Sequence, residues 1–156
     1  MKAVSALVGA LAFSLCLAAH AQNPSPPAGA LETAAAAESG DLASIMAQQQ
    51  ERHTKLWFAG RAGNWPLASY ELDALGDGFD QVNNLFGGDM VDKVVGGPMK
   101  ALEKLIAEKN QAGFAAAFDA LTAGCNNCHH MLDHAFILIQ RPTLQPYSDQ
   151  SFAPQK

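Results

Sequence analysis

Apolar residues recur along the chain at the three- and four-residue steps of amphipathic helices, and no segment sustains the alternation of a strand. The first clear repeat follows Asp41, a residue type that often caps helix N-termini. Glycines at positions 60 and 63 predict its end. The inner face of this first helix is mostly apolar but includes two polar residues: Leu42, Ile45, Met46, Gln49, His53, Leu56 and Trp57.

Two further helices are predicted in the middle of the chain. Asn64 is a favourable N-cap for a helix that begins at Trp65-Pro66, and Gly87-Gly88 predict its end. Its apolar face comprises Ala68, Leu72, Leu75, Phe79, Val82 and Phe86. Residues 89–95 are predicted to form a link, and Gly97-Pro98 to open the third helix with proline in its first turn. The apolar positions of that helix are Met99, Leu102, Leu105 and Ile106.

The fourth helix has the most regular apolar repeat and is predicted to run from Asn110 or Gln111 to Ile139. Its stripe is Phe114, Phe118, Leu121, Cys125, Cys128, Leu132, Phe136 and Ile139. Residues 141–156 then read as an extended C-terminal strap. Four amphipathic helices with short connections predict an all-α protein, an antiparallel four-helix bundle over residues 41–140.

The N-terminal residues have the pattern of an export signal. Lys2 precedes an apolar run over residues 3–19, and Ala19-His20-Ala21 is a cleavage site of the A-x-A type. We predict a signal peptide at residues 1–21, cleaved after Ala21, and a flexible lead-in at residues 22–40. The run is short for a membrane span, so the mature chain is predicted to have none. Its expected compartment is the periplasm.

The composition limits the partners of the mature chain, which has about 135 residues. Cleavage removes Lys2 and no acidic residue, which leaves nine basic against fifteen acidic residues, a net charge of −6. This charge argues against nucleic acid and anionic membrane surfaces, and it is compatible with a basic redox partner. Cleavage also removes Cys16, so only two cysteines remain.

Those two cysteines belong to the sequence Cys125-Asn126-Asn127-Cys128-His129, which reads C-x-x-C-H, the attachment motif of c-type haem. Two thiols bind the two vinyl groups of one porphyrin, and the adjacent imidazole supplies the proximal iron ligand. On a helix all three side chains project to one side. Gly124 is expected to leave room for the porphyrin. A redox dithiol and half of a zinc site are the alternative interpretations.

Residues 115–129 resemble the closing helix of the class II cytochromes c, the cytochrome c-prime type. The resemblance implies an exported four-helix bundle with one covalent haem c. It implies a periplasmic protein that carries electrons between redox proteins, or alternatively a five-coordinate haem protein that binds NO or CO. Bundles of this type often form dimers, so a homodimer stays open. The chain departs from the family pattern in continuing for 27 residues after His129, and in residues 52–60.

The sixth iron ligand distinguishes electron transfer from gas binding, and the two candidate ligands lie on the first helix. Met46 and His53 lie on its inner face, two turns or about 10.5 Å apart, so only one of them can reach the iron. A site with neither would be five-coordinate and open to a gas. Peroxidatic or nitrogen-oxide chemistry is a third hypothesis, but only His53 offers an acid–base group for it, so no enzyme activity is predicted. His130 and His134, spaced i and i+4, form either a solvated face or a second metal site.

Overall fold

The structure, a computed structural model, describes the backbone of residues 28–156 and the side chains from Asp41 onward. The predicted signal peptide and residues 22–27 of the predicted lead-in lie outside the described residues. Within the described part, the chain forms four α-helices and no strand, which confirms the predicted all-α class. The helices are α1 Ala28–Ala62, α2 Trp65–Phe86, α3 Met90–Ala107 and α4 Gln111–Met131. None of them is both long and apolar enough to cross a bilayer.

Connections of two or three residues make each helix run antiparallel to the one before it. Between α1 and α2, for example, Gln49 Nε2 donates to the Leu75 carbonyl oxygen at 2.8 Å, and Arg52 pairs with Glu71 at 3.0 Å. The later residue of α1 thus contacts the earlier residue of α2, as expected for antiparallel helices. Since α4 also packs against α1, the helices close into an up-down-up-down bundle.

All four helices end in the same backbone arrangement, the Schellman motif, in which a left-handed residue reverses the chain. That residue is Gly63 after α1 and Gly87 after α2, but Lys109 after α3 and Asp133 after α4. The accompanying six-residue bonds join Asn64 to Ala59, Gly88 to Asn83, Asn110 to Leu105 and His134 to His129, at 2.7–3.1 Å. The predicted ends of the first two helices are confirmed because a glycine marks each of them.

Two predicted helix starts are wrong. Asp41 is not an N-cap, since α1 already begins at Ala28 and passes through the alanines at 34–37, which are strong helix formers. The third helix starts at Met90, eight residues before Pro98. Its first turn is stabilised from α2, because Asn83 Oδ1 accepts the Val91 N–H at 3.0 Å. The N-cap predicted at Asn64 is confirmed by the bond from the Leu67 N–H to its side chain.

Pro98 lies inside α3, and the carbonyl that it leaves without a helical partner faces α4. Proline lacks an N–H, so it cannot bond the Val94 carbonyl four residues earlier. This carbonyl lies against Gly124, where a Cβ atom would come within 3.2 Å of it and within 3.0 Å of Val95. Gly124 therefore allows α3 to approach α4 closely, and the expectation that it leaves room for a porphyrin stays a prediction.

The fourth helix is shorter than predicted, because it ends at Met131 instead of Ile139. The apolar stripe beyond it does not enter the core: Phe136 is 80 % exposed, and Leu132 and Ile139 are only partly buried. Residues 132–156 contain neither helix nor strand. Near their end, Phe152 is buried and its ring lies 5.8 Å from that of Phe58.

Burial divides the pair α1 and α4 into two regions. The aromatic half consists of residues 53–62 of α1 and 111–122 of α4. Its buried apolar side chains are Leu56, Trp57, Ala59, Phe114, Phe118 and Leu121. The motif half consists of residues 41–52 of α1 and 123–131 of α4. Its apolar side chains, among them Leu42, Ile45, Met46 and Cys125, are only partly buried.

Candidate functional site

The last two turns of α4 carry the three residues of the predicted attachment motif. Cys128 follows Cys125 by three positions and His129 follows it by four, so helical geometry directs all three side chains to one side. Both thiols are free, and all three side chains are partly buried. The helix thus places the predicted site residues on one side of α4, in the motif half.

The environment of the thiols does not activate them as nucleophiles. Burial raises the pKa of Cys125 to about 11, and the neighbouring Cys128 adds to this effect. Burial also raises the pKa of Cys128. Reactive dithiols need at least one thiol whose pKa lies below the ordinary value. Both groups are therefore protonated at neutral pH, which disfavours the redox-dithiol interpretation of the motif.

The imidazole of His129 is held by the chain that follows α4. Its Nδ1 lies 2.9 Å from the carbonyl oxygen of Ile137. Since a carbonyl oxygen only accepts, Nδ1 carries a proton, and in the neutral imidazole the lone pair is on Nε2. A histidine that ligates a metal usually donates its other N–H to such an acceptor. His129 is therefore prepared to offer Nε2 to a metal.

His53 is engaged elsewhere, at the boundary of the two halves. It is 3 % exposed, and its Nε2 lies 2.8 Å from the hydroxyl oxygen of Thr122. The hydroxyl hydrogen of Thr122 is donated to the Phe118 carbonyl at 3.0 Å, so the histidine Nε2–H must be the donor to Thr122. Burial lowers the pKa of His53 to about 4, and the ring is neutral at pH 7.

The contacts between α1 and α4 set a register that relates the two candidate sixth ligands to the motif. His53 meets Thr122, and four residues further along α1 the ring of Trp57 lies 4.9 Å from that of Phe118. A residue a given number of positions further along α1 therefore lies beside the residue the same number of positions earlier on α4. Met46 precedes His53 by seven residues and His129 follows Thr122 by seven, so Met46 is level with His129.

The donor set in the motif half fits a covalently bound haem. It contains two free protonated thiols on one helix face, an imidazole with an available Nε2, and a partly buried apolar surface on α1. Leu42, Ile45 and Met46 supply that surface. Macrocycle attachment needs thiols, an axial nitrogen and apolar cover, and these residues can provide all three.

The histidine pair predicted as a second metal site is not formed on a helix, since α4 ends before His134. His134 Nδ1 contacts the Leu132 carbonyl at 2.5 Å, and its ring lies 5.6 Å from that of Phe136. Within the described part of the chain, no three His, Cys, Asp or Glu side chains converge as a ready metal site.

A cleft of about 620 Å³ lies between α2 and α3, away from the motif. Carboxylates and glycines line much of it, and Val95 separates it from Gly124 of α4. No residue of the attachment motif contributes to this cleft. This cleft is therefore separate from the candidate site, which lies in the motif half.

The sequence did not point to Ile137 or Thr122 as part of the site. Thr122 could have been noticed, because it lies on the buried stripe of α4 where a hydroxyl needs a partner. Ile137 could not, since its contribution is a backbone carbonyl. Comparisons with protein-family models, curated proteins and solved structures found no match for this chain.

Proposed function

We propose that this chain is a periplasmic monohaem c-type cytochrome that transfers electrons between redox proteins. Cys125 and Cys128 hold one haem c through thioether bonds, and His129 supplies the proximal ligand. Bound haem provides an iron couple that exchanges one electron at a time. The export pattern of residues 1–21 supports the compartment, because it precedes the motif in the same chain.

The observation that carries the proposal is the bond between His129 Nδ1 and the Ile137 carbonyl, 2.9 Å long. It selects the neutral tautomer in which Nε2 offers its lone pair, on the same helix as two free thiols. A dithiol oxidoreductase would need no such imidazole, and it would need thiols with a lowered pKa. A haem protein needs both the unprotonated nitrogen and the pair of thiols.

Met46 is the residue that we infer to be the sixth ligand. It is level with His129 in the register of α1 and α4, and it is partly buried. His53 is two turns away, and its Nε2–H is already donated to Thr122. A histidine–methionine pair favours the ferrous state and leaves no open coordination position. Both properties suit electron transfer better than gas binding.

The remaining residues serve the site by packing and charge. The aromatic half excludes water from the bundle interior next to the motif, since Phe118 and Leu121 are fully buried there. A low-dielectric environment of this kind tunes the potential of a haem. The net charge of −6 predicted for the mature chain favours a redox partner with a basic surface.

Visible spectra of the ferric and ferrous protein, with and without CO, test this function after co-expression with a haem-attachment system. We expect sharp low-spin ferrous bands that CO does not move. Met46→Ala should open the site, so that CO shifts the ferrous bands. His53→Ala should stay low-spin, as should the control Met99→Ala, which removes a partly buried methionine from α3.

Three other results would change the conclusion. Ferrous bands of the unmodified protein that shift with CO would favour the five-coordinate gas-binding alternative. Loss of the low-spin spectrum in His53→Ala alone would make His53 the ligand. A colourless protein would rule out haem attachment and return the motif to a metal or dithiol role.

A further inference from the structure

The chain that follows α4 folds back along the attachment motif and is fastened there by Asn126. The side-chain Nδ2 of Asn126 donates to the Ile139 carbonyl at 2.8 Å, and its Oδ1 accepts the Ile139 N–H at 2.8 Å. One amide side chain therefore satisfies both backbone groups of a residue 13 positions away. The two bonds together fix the position and the direction of that backbone segment.

The same segment supplies the acceptor for His129. Ile137 is two residues before Ile139, and its carbonyl accepts the Nδ1–H of the imidazole. Two residues after Ile139, Arg141 pairs with Asp119 of α4, and its guanidinium lies 4.6 Å from the ring centroid of Trp57. The carbonyl of Ile137 thus lies between the turn after α4 and two points at which the segment is bound to that helix, namely Asn126 and Asp119.

We propose that Asn126 is a positioning residue for His129. By fastening Ile139 it keeps the Ile137 carbonyl at Nδ1, which selects the tautomer that offers Nε2 and raises the donor strength of that nitrogen. The role rests on the proposed haem function. It assigns a task to one of the two residues between the cysteines, positions whose identity the attachment chemistry leaves free.

Asn127 provides a matched control in the same motif. It is the same residue type one position later, but it is exposed and makes no such clamp. Substitution of either asparagine by alanine keeps both thiols and the imidazole. A difference between the two variants therefore reports the clamp instead of the general effect of a change inside the motif.

The first test is hydrogen exchange, followed by mass spectrometry of the peptide that contains residues 137–141 in the purified full-length protein. Asn126→Ala should accelerate exchange of the Ile139 amide roughly tenfold, since its acceptor is lost. Asn127→Ala should leave it unchanged. This measurement does not depend on haem, and equal exchange in all three proteins would overturn the clamp itself.

The second test is the midpoint potential of the same proteins by spectroelectrochemical titration. Loss of the carbonyl acceptor weakens the donor strength of the imidazole and destabilises the ferric state, so Asn126→Ala should raise the potential. Asn127→Ala should match the unmodified protein. Faster exchange at Ile139 with an unchanged potential would overturn the positioning role while leaving the cytochrome function intact. A colourless unmodified protein would instead overturn the proposed function, and this role with it.

Discussion

The aromatic half and the motif half lie on the same two helices, but they differ in how completely they are packed. In the aromatic half, Phe118 and Leu121 are 0 % exposed and Trp57 is 3 % exposed. In the motif half, Met46 and Cys125 are only partly buried. The aromatic side chains fill the space between α1 and α4. The smaller residues of the motif half do not fill it, and part of their apolar surface stays exposed.

Because of this difference, one continuous pattern of apolar residues forms a packed core in one half and a partly exposed apolar surface in the other. Apolar positions run along α1 and α4 at helical spacing in both halves. Where large rings meet, the pattern forms a finished core. Where it consists of aliphatic residues and cysteines, it forms a surface that a bound group can cover. His53 and Thr122 lie at the boundary, where a buried polar pair closes the aromatic half.

The largest effect is expected from Phe118→Ala, because this side chain packs against His53, Trp57 and Phe114. Its removal should lower the free energy of unfolding by about 3–5 kcal/mol. In the motif half, Leu42→Ala should cost only about 1 kcal/mol, since that residue is partly exposed.

Urea unfolding of both variants measures the difference, in a background with Cys125→Ser and Cys128→Ser so that no haem is attached. Equal losses of stability would contradict the distinction between the two halves. The same two substitutions can then be compared in the protein that keeps both cysteines and has haem attached. A group that covers the motif half should increase the loss of stability caused by Leu42→Ala.

A second prediction concerns the boundary between the halves and its dependence on pH. His53 has a pKa of about 4 in the folded protein against an ordinary value of 6.5. Between these values the unfolded chain binds a proton that the folded chain does not, so stability should fall as pH decreases from about 6.5 to about 4. The total loss from this residue should be about 3 kcal/mol. Above about pH 6.5 both states are neutral at His53, and the effect should be absent.

The control for this effect is His53→Gln, which keeps a polar side chain opposite Thr122 but cannot titrate. The difference in unfolding free energy between the two proteins, measured by urea titration across this pH range, isolates His53 from the carboxylates that also titrate there. A difference that does not change with pH would mean that the histidine is charged or solvated in the folded state.

The smallest effect is expected at the two helix ends that lack glycine. Lys109 follows α3 with φ of 53°, and Asp133 follows α4 with φ of 59°. Glycine adopts this conformation at lower cost, so Lys109→Gly and Asp133→Gly should each stabilise the protein by about 0.5–1 kcal/mol.

The gain should be larger for Asp133→Gly, because this change also removes a negative charge from the negative end of a helix dipole. Thermal unfolding of the two variants side by side measures both gains. Destabilisation by Asp133→Gly would indicate that the aspartate has a role in holding the segment after the motif.

The success of the helix predictions depended on which residues marked the ends. Gly63 and Gly87 are recognisable because glycine is the usual left-handed residue at helix ends. Asp133 serves the same purpose without that signal, so the predicted fourth helix ran on to Ile139. Pro98 caused the start of the third helix to be predicted too late, because proline usually lies in the first turn of a helix and here lies inside one.

The amino-acid pattern was enough to predict the helical class, the four helices within residues 28–156 and the grouping of two thiols with an imidazole. These depend on local spacing, which a single chain segment carries within itself. Folding was needed to show that His53 bonds Thr122, that Met46 is level with His129, and that the Ile137 carbonyl holds the imidazole. Each of these depends on the register between segments far apart in the chain, and register follows from how whole faces pack together.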